Sequence, residues 1–516
     1  MPITPPDNAA IEAIASQYGL DLDASDAESF RPFVEGLLGS WNAVEDLYAE
    51  IAPEGPERPD RQSNRPSAAE NPLNAWYVTT SITEVDSGPL VGRTIAVKDN
   101  TMVAGVPMMN GSRTLEGFVP SRDATIVTRL LRAGATITGK AVCEDLCFSG
   151  GSHTARTGNV LNPWDHSRSA GGSSCGSAAL VADGAVDMAT GGDQGGSVRI
   201  PAAYSGVVGH KPTYGLVPYT GAFPIEQTID HLGPITATVG DAALMLSVMA
   251  GADGLDPRQP NDLTPQDYLG AIGQSAEGLR IGVVTEGFGL ENSDPGVDDA
   301  VRAAVDQLVA AGLSAEEVSI PWHAHGPRIW DVIATEGATV QMVDGNAYGM
   351  NWPGLYDPEL IEYYGNQSRA KANEFSETVK LVVLAGRHAL NTQQGKHYAM
   401  ARNLAFKLTA AYDEALSTYD VLAMPTLPMT ASVLPEPDAP RDEVIGKALE
   451  MIANTAPFDV TGHPATSVPA GMVDGLPAGL MLIGKHFDDA ACLRVANQFE
   501  QTVGGFPRPQ SAKVGS

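Results

Sequence analysis

Apolar positions recur at helical spacing over residues 8 to about 50. Ile11, Ile14, Ala15 and Tyr18 fall on one face, and Phe33, Leu37, Trp41, Val44, Leu47 and Tyr48 repeat the pattern. Asp7 or Asn8 stands where an N-cap is needed. Pro53, Pro56, Pro59, Pro66 and Pro72 come next among polar residues. Each proline fixes its φ and lacks an N–H, so this stretch reads as a linker. Residues 1–72 are therefore expected to form a small helical domain and linker, with apolar faces packed on the next part of the chain.

From residue 73 the period changes. Arg93 to Lys98 reads as a strand, Ala124 to Ala133 as a helix stopped by Gly134, and Thr136 to Lys140 as the next strand. The glycine-rich stretch 171–176 opens a helix that runs to about Asp183. Val186 to Thr190 is a buried strand, Thr238 to Ala250 a helix, and Gly278 to Val284 a strand. This alternation predicts an α/β core over 73–325. Residues 326–410 are mostly helical in pattern and are expected to form an insertion that roofs the site. Tyr419 to Pro425 and Ser467 to Ile483 read as strand again, so 411–516 returns to the core.

Composition narrows the function. The chain of 516 residues is 43% apolar, ordinary for a globular protein, and carries 32 basic against 62 acidic residues for a formal charge of −30. Such a surface repels phosphate backbones and anionic membranes, so neither nucleic acid nor membrane is expected as a partner. The first residues hold neither a basic nor an apolar run, and no later segment is long and apolar enough to span a bilayer. A cytoplasmic location is expected. The four cysteines, Cys143, Cys147, Cys175 and Cys492, are too few for a secreted disulfide framework. Cys143 and Cys147 lack two further ligands nearby and are read as packing thiols. His323-Ala324-His325 has neither the spacing nor the acidic partner of a zinc protease motif, so no metal site is expected.

The chemistry concentrates in three places. Lys98 ends the run Thr94-Ile95-Ala96-Val97. Gly171-Gly172-Ser173-Ser174-Cys175-Gly176-Ser177 and Gly191-Gly192-Asp193-Gln194-Gly195-Gly196-Ser197 follow at fixed distances from it. A serine hydroxyl is a weak nucleophile until a base takes its proton, and its attack needs backbone N–H groups to hold the oxyanion. A glycine-rich loop ending in serine supplies such donors. A lysine can be the base if burial keeps it neutral. Taken alone, a Gly-Gly-Ser is most often a tight turn and a strand-end lysine a solvated cation; their coupling favours catalysis.

The arrangement resembles the amidase signature family of serine hydrolases. Its signature stretch is matched from Gly171 through Pro201, including Asp193, Arg199 and Ile200-Pro201. Ala124 to Gly139, Gly209-His210-Lys211-Pro212-Thr213 and Pro457 through Pro464 also fit. Gly192 to Ser197 and Thr228 to Pro234 are most similar to bacterial amidases of nitrile degradation, partners of nitrile hydratase. The resemblance implies the family's fold, a mixed central β-sheet covered by helices. It implies a triad of nucleophile Ser197, proton bridge Ser173 and general base Lys98, with a cis peptide bond before Ser173. Gln194, Gly195 and Gly196 then supply oxyanion donors, while Asp193 and Arg199 fix the loop. Ser174 and Ser177 are expected to cap the helix that begins there. Phe148, Ile229, Trp330 and Ile452 are candidate walls of an apolar substrate pocket. The implied reaction converts a small aliphatic or aromatic carboxamide to its acid and ammonia, with no cofactor and with a small-molecule amide as the partner. A homodimer is implied too. Cys175 departs from the family, which usually has glycine there.

Three other readings remain open at this level. Gly172-Ser173-Ser174-Cys175-Gly176 also fits the G-x-S-x-G elbow of α/β-hydrolases, with Ser174 as nucleophile. Cys175 could be a thiol nucleophile. The chain could also act on another amide, anilide or carbamate, serve as the amidase-like subunit of an amidotransferase complex, or keep the fold without catalysis.

Overall fold

The computed structural model describes residues 3–51 and 61–510. The prolines Pro53, Pro56 and Pro59 of the linker lie outside the described residues. Two compact units emerge, residues 1–59 and 60–516.

The first unit is a helical pair, α1 (Asn8–Gln17) and α2 (Ala24–Ile51). Asp7 caps α1 by accepting from the Ala10 N–H at 2.8 Å. The helical pattern breaks at Tyr18–Asp23, where Gly19 adopts a φ of +68°. Ile11, Ala15 and Ala27 are buried, whereas Phe33, Leu37, Trp41, Val44, Leu47 and Tyr48 are exposed along α2.

The second unit is built on one mixed sheet, twelve-stranded among the described residues. Its strands are β1 (Ser63–Asn64), β2 (Trp76–Ile82), β3 (Thr94–Lys98), β4 (Thr136–Ala141), β5 (Met188–Asp193), β6 (Val208–Lys211), β7 (His231–Thr236), β8 (Arg280–Val284), β9 (Ser314–Val318), β10 (Val421–Pro425), β11 (Ala465–Val473) and β12 (Leu476–Ile483). Their order is β1-β2-β4-β3-β5-β7-β6-β11-β12-β10-β8-β9. Strand β3 runs parallel to β4 and β5 in the middle of one half. Strands β10, β8 and β9 are mutually parallel at the far edge. Antiparallel pairs join the two halves through β7, β6 and β11.

The helices follow from their apolar faces. In α3 (Thr125–Arg132), Ile126, Val127, Leu130 and Leu131 are buried. Gly134 ends it at φ +90°, where a Cβ would stand 2.8 Å from the Ser87 carbonyl oxygen. Every residue of α4 (Cys175–Ala182) and of α5 (Arg199–Ser205) is buried, which suits their small and apolar composition. Helices α6 (Val239–Met249), α7 (Tyr268–Ile272) and α8 (Pro295–Ala310) pack on the same core as β3 and α3. The chain from 326 to 418 is helical, as α9 (Gly326–Ala338), α10 (Pro358–Ala370), α11 (Glu377–Gln393) and α12 (Lys396–Thr418). Their buried residues, including Ile333, Val379, Leu408 and Tyr412, share a second core with Phe458 and Met481. Helices α13 (Arg441–Leu449), α14 (Ala456–Thr461) and α15 (Asp489–Val503) complete the fold.

Candidate active site

Lys98 closes β3, a strand buried at four of its five positions. The side chain is fully buried, with Nζ 2.8 Å from Ser173 Oγ and 3.1 Å from the Gly192 carbonyl oxygen. The backbone N–H of Lys98 donates to Thr190 Oγ1 on β5, which locks the two strands at this level.

Ser173 lies in the turn before α4, and the Gly172–Ser173 peptide bond is cis. Neighbours hold this turn from both sides. The Gly172 N–H donates to the Gly150 carbonyl at 2.7 Å, and the Ser173 carbonyl accepts from the Glu144 N–H at 3.2 Å. Glu144 in turn accepts from the N–H groups of His153, Thr154 and Ala155. A Cβ at Gly172 would fall 2.0 Å from the Gly151 carbonyl oxygen, so only glycine fits.

Ser197 follows β5, which carries the chain through Gly191-Gly192-Asp193 into the second serine loop. Asp193 organises that loop. Its carboxylate accepts from the Gly196 N–H at 2.6 Å, the Val198 N–H at 3.0 Å and the Arg199 guanidinium. Arg199 also donates to Asp459 Oδ2 at 2.7 Å. All three side chains are buried. Burial alone would raise the Asp193 carboxyl, but Arg199 and Lys211 hold it well below the usual carboxylate range.

One of the three oxyanion donors expected from sequence is already engaged: the Gly196 N–H donates to the buried Asp193 carboxylate, while no such bond holds the Gln194 and Gly195 N–H groups among the described residues. Two side chains aim that part of the loop. Trp330 Nε1 donates to the Gln194 carbonyl at 2.5 Å, and Thr455 Oγ1 donates to the Gly195 carbonyl at 2.7 Å. In a trans peptide the N–H points opposite the carbonyl, so Trp330 also orients the Gly195 N–H.

A cavity of about 400 Å³ opens onto Ser197. Phe148, Ile229, Trp330 and Ile452 all line it, with Ile200, Ile225 and Ala334 adding apolar wall and Gln194 and Gly195 a polar edge. Cys147 lines it as well, a residue read from sequence as packing alone. Its Sγ and that of Cys143 both lie near Asn110 Oδ1, at 3.2 and 3.3 Å. Burial raises the Cys147 thiol, but Cys143, Lys98 and Ser173 outweigh it and bring the pKa to about 7.

The rival nucleophiles are placed elsewhere. Ser174 Oγ is buried and donates to the Ser197 carbonyl oxygen at 2.5 Å. Ser177 Oγ donates to the Thr190 carbonyl at 2.8 Å. Neither hydroxyl caps α4, contrary to the expectation from sequence; both tie that helix to the strand and loop behind it. Cys175 sits inside α4 with its Sγ 3.4 Å from the Val142 carbonyl oxygen, and burial pushes its thiol well above the usual range.

Comparisons with known proteins point to one family. The amidase family model matches residues 66–493. The chain is 56% identical to an enantioselective amidase of Rhodococcus rhodochrous over 99% of its own length and 98% of that protein's. Its fold is similar to that of a glutamyl-tRNA(Gln) amidotransferase subunit from Thermotoga maritima. There the TM-score is 0.69 and the identity 32%, over 86% of this chain and 92% of that one. It is also similar to a peptide amidase from Stenotrophomonas maltophilia, with a TM-score of 0.68 and 29% identity over 83% and 85% of the two chains. With the Ser–Ser–Lys constellation on this sheet and matches of this extent, the chain belongs to the amidase signature family and is an amide-hydrolysing enzyme.

Proposed function

We propose that this amidase hydrolyses small aliphatic or aromatic primary amides through an acyl-enzyme on Ser197. Ser197 Oγ attacks the carbonyl carbon while its proton passes through Ser173 to Lys98. The N–H groups of Gln194 and Gly195 receive the oxyanion. Lys98, now an ammonium, returns a proton through Ser173 to the departing nitrogen, and ammonia leaves. Water then repeats the attack on the ester and releases the acid. The observation that carries this reading is the buried 2.8 Å contact between Lys98 Nζ and Ser173 Oγ, in a site whose cavity is lined by Ser197.

The apolar cavity walls favour an uncharged acyl group of modest size. Amides formed by hydration of nitriles are of that kind. Because the Rhodococcus relative is an enantioselective amidase, discrimination between mirror-image acyl groups belongs to this reading. So do a cytoplasmic location and a homodimer. No helix among the described residues is long and apolar enough to cross a membrane.

The test is ammonia release by the purified chain from a panel containing propionamide, benzamide, a chiral 2-arylpropionamide, a fatty amide and a peptide amide. Small amides are expected to give the highest kcat/KM, and Ser197→Ala to remove turnover of all of them. Substantial turnover by Ser197→Ala rejects the nucleophile; preference for the fatty or peptide amide rejects the substrate class alone.

A further inference from the structure

Away from the cavity, three side chains from distant parts of the chain converge. Asp413 lies on α12, His463 in the turn between α14 and β11, and His486 in the loop between β12 and α15. One ligand atom of each lies within 4.8 Å of the other two. Asp413 Oδ1 is 3.2 Å from His463 Nε2 and 3.7 Å from His486 Nδ1. Around a tetrahedral ion with metal–ligand bonds of about 2.0–2.1 Å, donor atoms stand roughly 3.3 Å apart. The two edges to Asp413, 3.2 and 3.7 Å, approach that spacing, and the third lies within 4.8 Å.

The orientation of the imidazoles points the same way. His486 Nε2 lies 2.8 Å from the Thr461 carbonyl oxygen, which can only accept, so the ring proton belongs on Nε2. In that tautomer Nδ1 faces the Asp413 carboxylate with its lone pair. Two electron-rich atoms facing each other are held together by a cation between them, a metal ion or a proton. His463 has the same kind of support, its Nδ1 2.9 Å from Thr461 Oγ1. A single residue, Thr461, thus orients both rings from behind, as the outer partners of histidine metal ligands do. His463 is buried, so a ligand bond to it would be shielded from water. Asp413 is exposed, which leaves a fourth position open to water.

We propose that Asp413, His463 and His486 form a site for a divalent transition metal, Zn²⁺ by ligand type, that fastens α12 to the turns flanking the β11–β12 hairpin. Two imidazoles and one carboxylate suit zinc better than calcium or magnesium, which prefer all-oxygen shells. The ion is structural with respect to amide hydrolysis. It sits on the turn whose His463 carbonyl accepts from Lys211 Nζ at 2.7 Å, and Lys211 faces the buried Asp193–Arg199–Asp459 cluster. Sequence spacing alone predicts no metal here, because the three ligands are far apart in the chain and only the fold brings them together.

Calorimetric titration of chelator-stripped full-length protein with ZnSO₄ at pH 7.5 tests the site. One Zn²⁺ per chain is expected, with a Tm raised by a few degrees at excess metal. Co²⁺ in its place should give the intense visible bands of a four-coordinate ion. His486→Ala and Asp413→Asn should each weaken binding by about a hundredfold or more while amide turnover without metal stays unchanged. Asp413 is exposed on its helix, so Asp413→Asn decides the matter if His486→Ala misfolds. Absence of stoichiometric binding, or binding of equal strength in Asp413→Asn, overturns the proposal; in that case a proton on His486 closes the gap.

Discussion

Among the described residues Lys98 hydrogen-bonds to no carboxylate; its partners include Ser173 Oγ and a backbone carbonyl. A base so placed passes protons only along the serine chain, so Lys98→Ala should lower turnover roughly 10²–10⁴-fold, the usual weight of a general base. Ser173→Ala should fall in the same range, measured as initial rates of ammonia release. Cys147 allows a sharper test. Its thiol lines the cavity, and with a pKa of about 7 the thiolate fraction climbs as pH rises through 7. Inactivation by iodoacetamide should therefore follow a curve with its midpoint near pH 7 and level off above about pH 8, whereas an ordinary thiol reacts with a midpoint near pH 8.5. Cys147→Ser should resist the reagent, and a midpoint near 8.5 would count against the pairing with Lys98. The meeting of Lys98 with Ser173 was legible in the sequence because the resemblance fixes each at its position. Cys147 was not, because its character comes from Cys143 together with Lys98 and Ser173, and the last two are neighbours that only the fold supplies. The bond from the Gly196 N–H to Asp193 was hidden for the same reason: sequence names donors but not the acceptors already facing them.

At the level of elements, α9 reaches the chemistry through one indole. Trp330 was read as a wall, and it lines the cavity, yet its Nε1–H also fixes the Gln194 carbonyl and so the Gly195 N–H. Trp330→Phe keeps most of the wall and deletes the hydrogen bond. It should lower kcat by tenfold or more with little change in KM, because a misdirected oxyanion donor harms the transition state more than the bound amide. Trp330→Ala should also change the preference among acyl groups. A parallel rise in KM with kcat intact would make the indole a wall only. A second expectation concerns the Asp193–Arg199–Asp459 cluster, buried at all three side chains. Asp193→Asn leaves the Arg199 charge partly unpaired and should cost about 3–5 kcal/mol in urea unfolding. The elements with regular apolar patterns, β3, α3 and α6, were read within a few residues of where they occur. Strand β5 was placed two residues early and cut short, because Gly191-Gly192 reads as loop until β7 pairs with it. Strand β9, Ser-Ala-Glu-Glu-Val, escaped notice: it is a polar edge strand that β8 recruits by parallel pairing.

For the whole molecule the open matter is what covers α2. Phe33, Leu37, Trp41, Val44, Leu47 and Tyr48 are exposed on one helix and form an apolar stripe. The sequence showed the stripe plainly, since it needs only helical periodicity, but periodicity does not say what a stripe packs on. The homodimer proposed above gives it a partner of matching chemistry, a second copy of itself. Charge makes the prediction specific. Each chain carries a formal charge of −30, so two copies repel, and that repulsion is screened by salt while burial of the stripe is not. Dimerisation should therefore tighten as NaCl rises from about 20 to 500 mM, opposite to an interface held by ion pairs. Sedimentation equilibrium should report twice the chain mass for the native protein and a single chain for Leu37→Glu/Trp41→Glu. Turnover per chain should be unchanged in that variant, because none of the cavity-lining residues comes from α2. A native monomer at every salt concentration, or a dimer that survives both substitutions, would remove α2 from the interface.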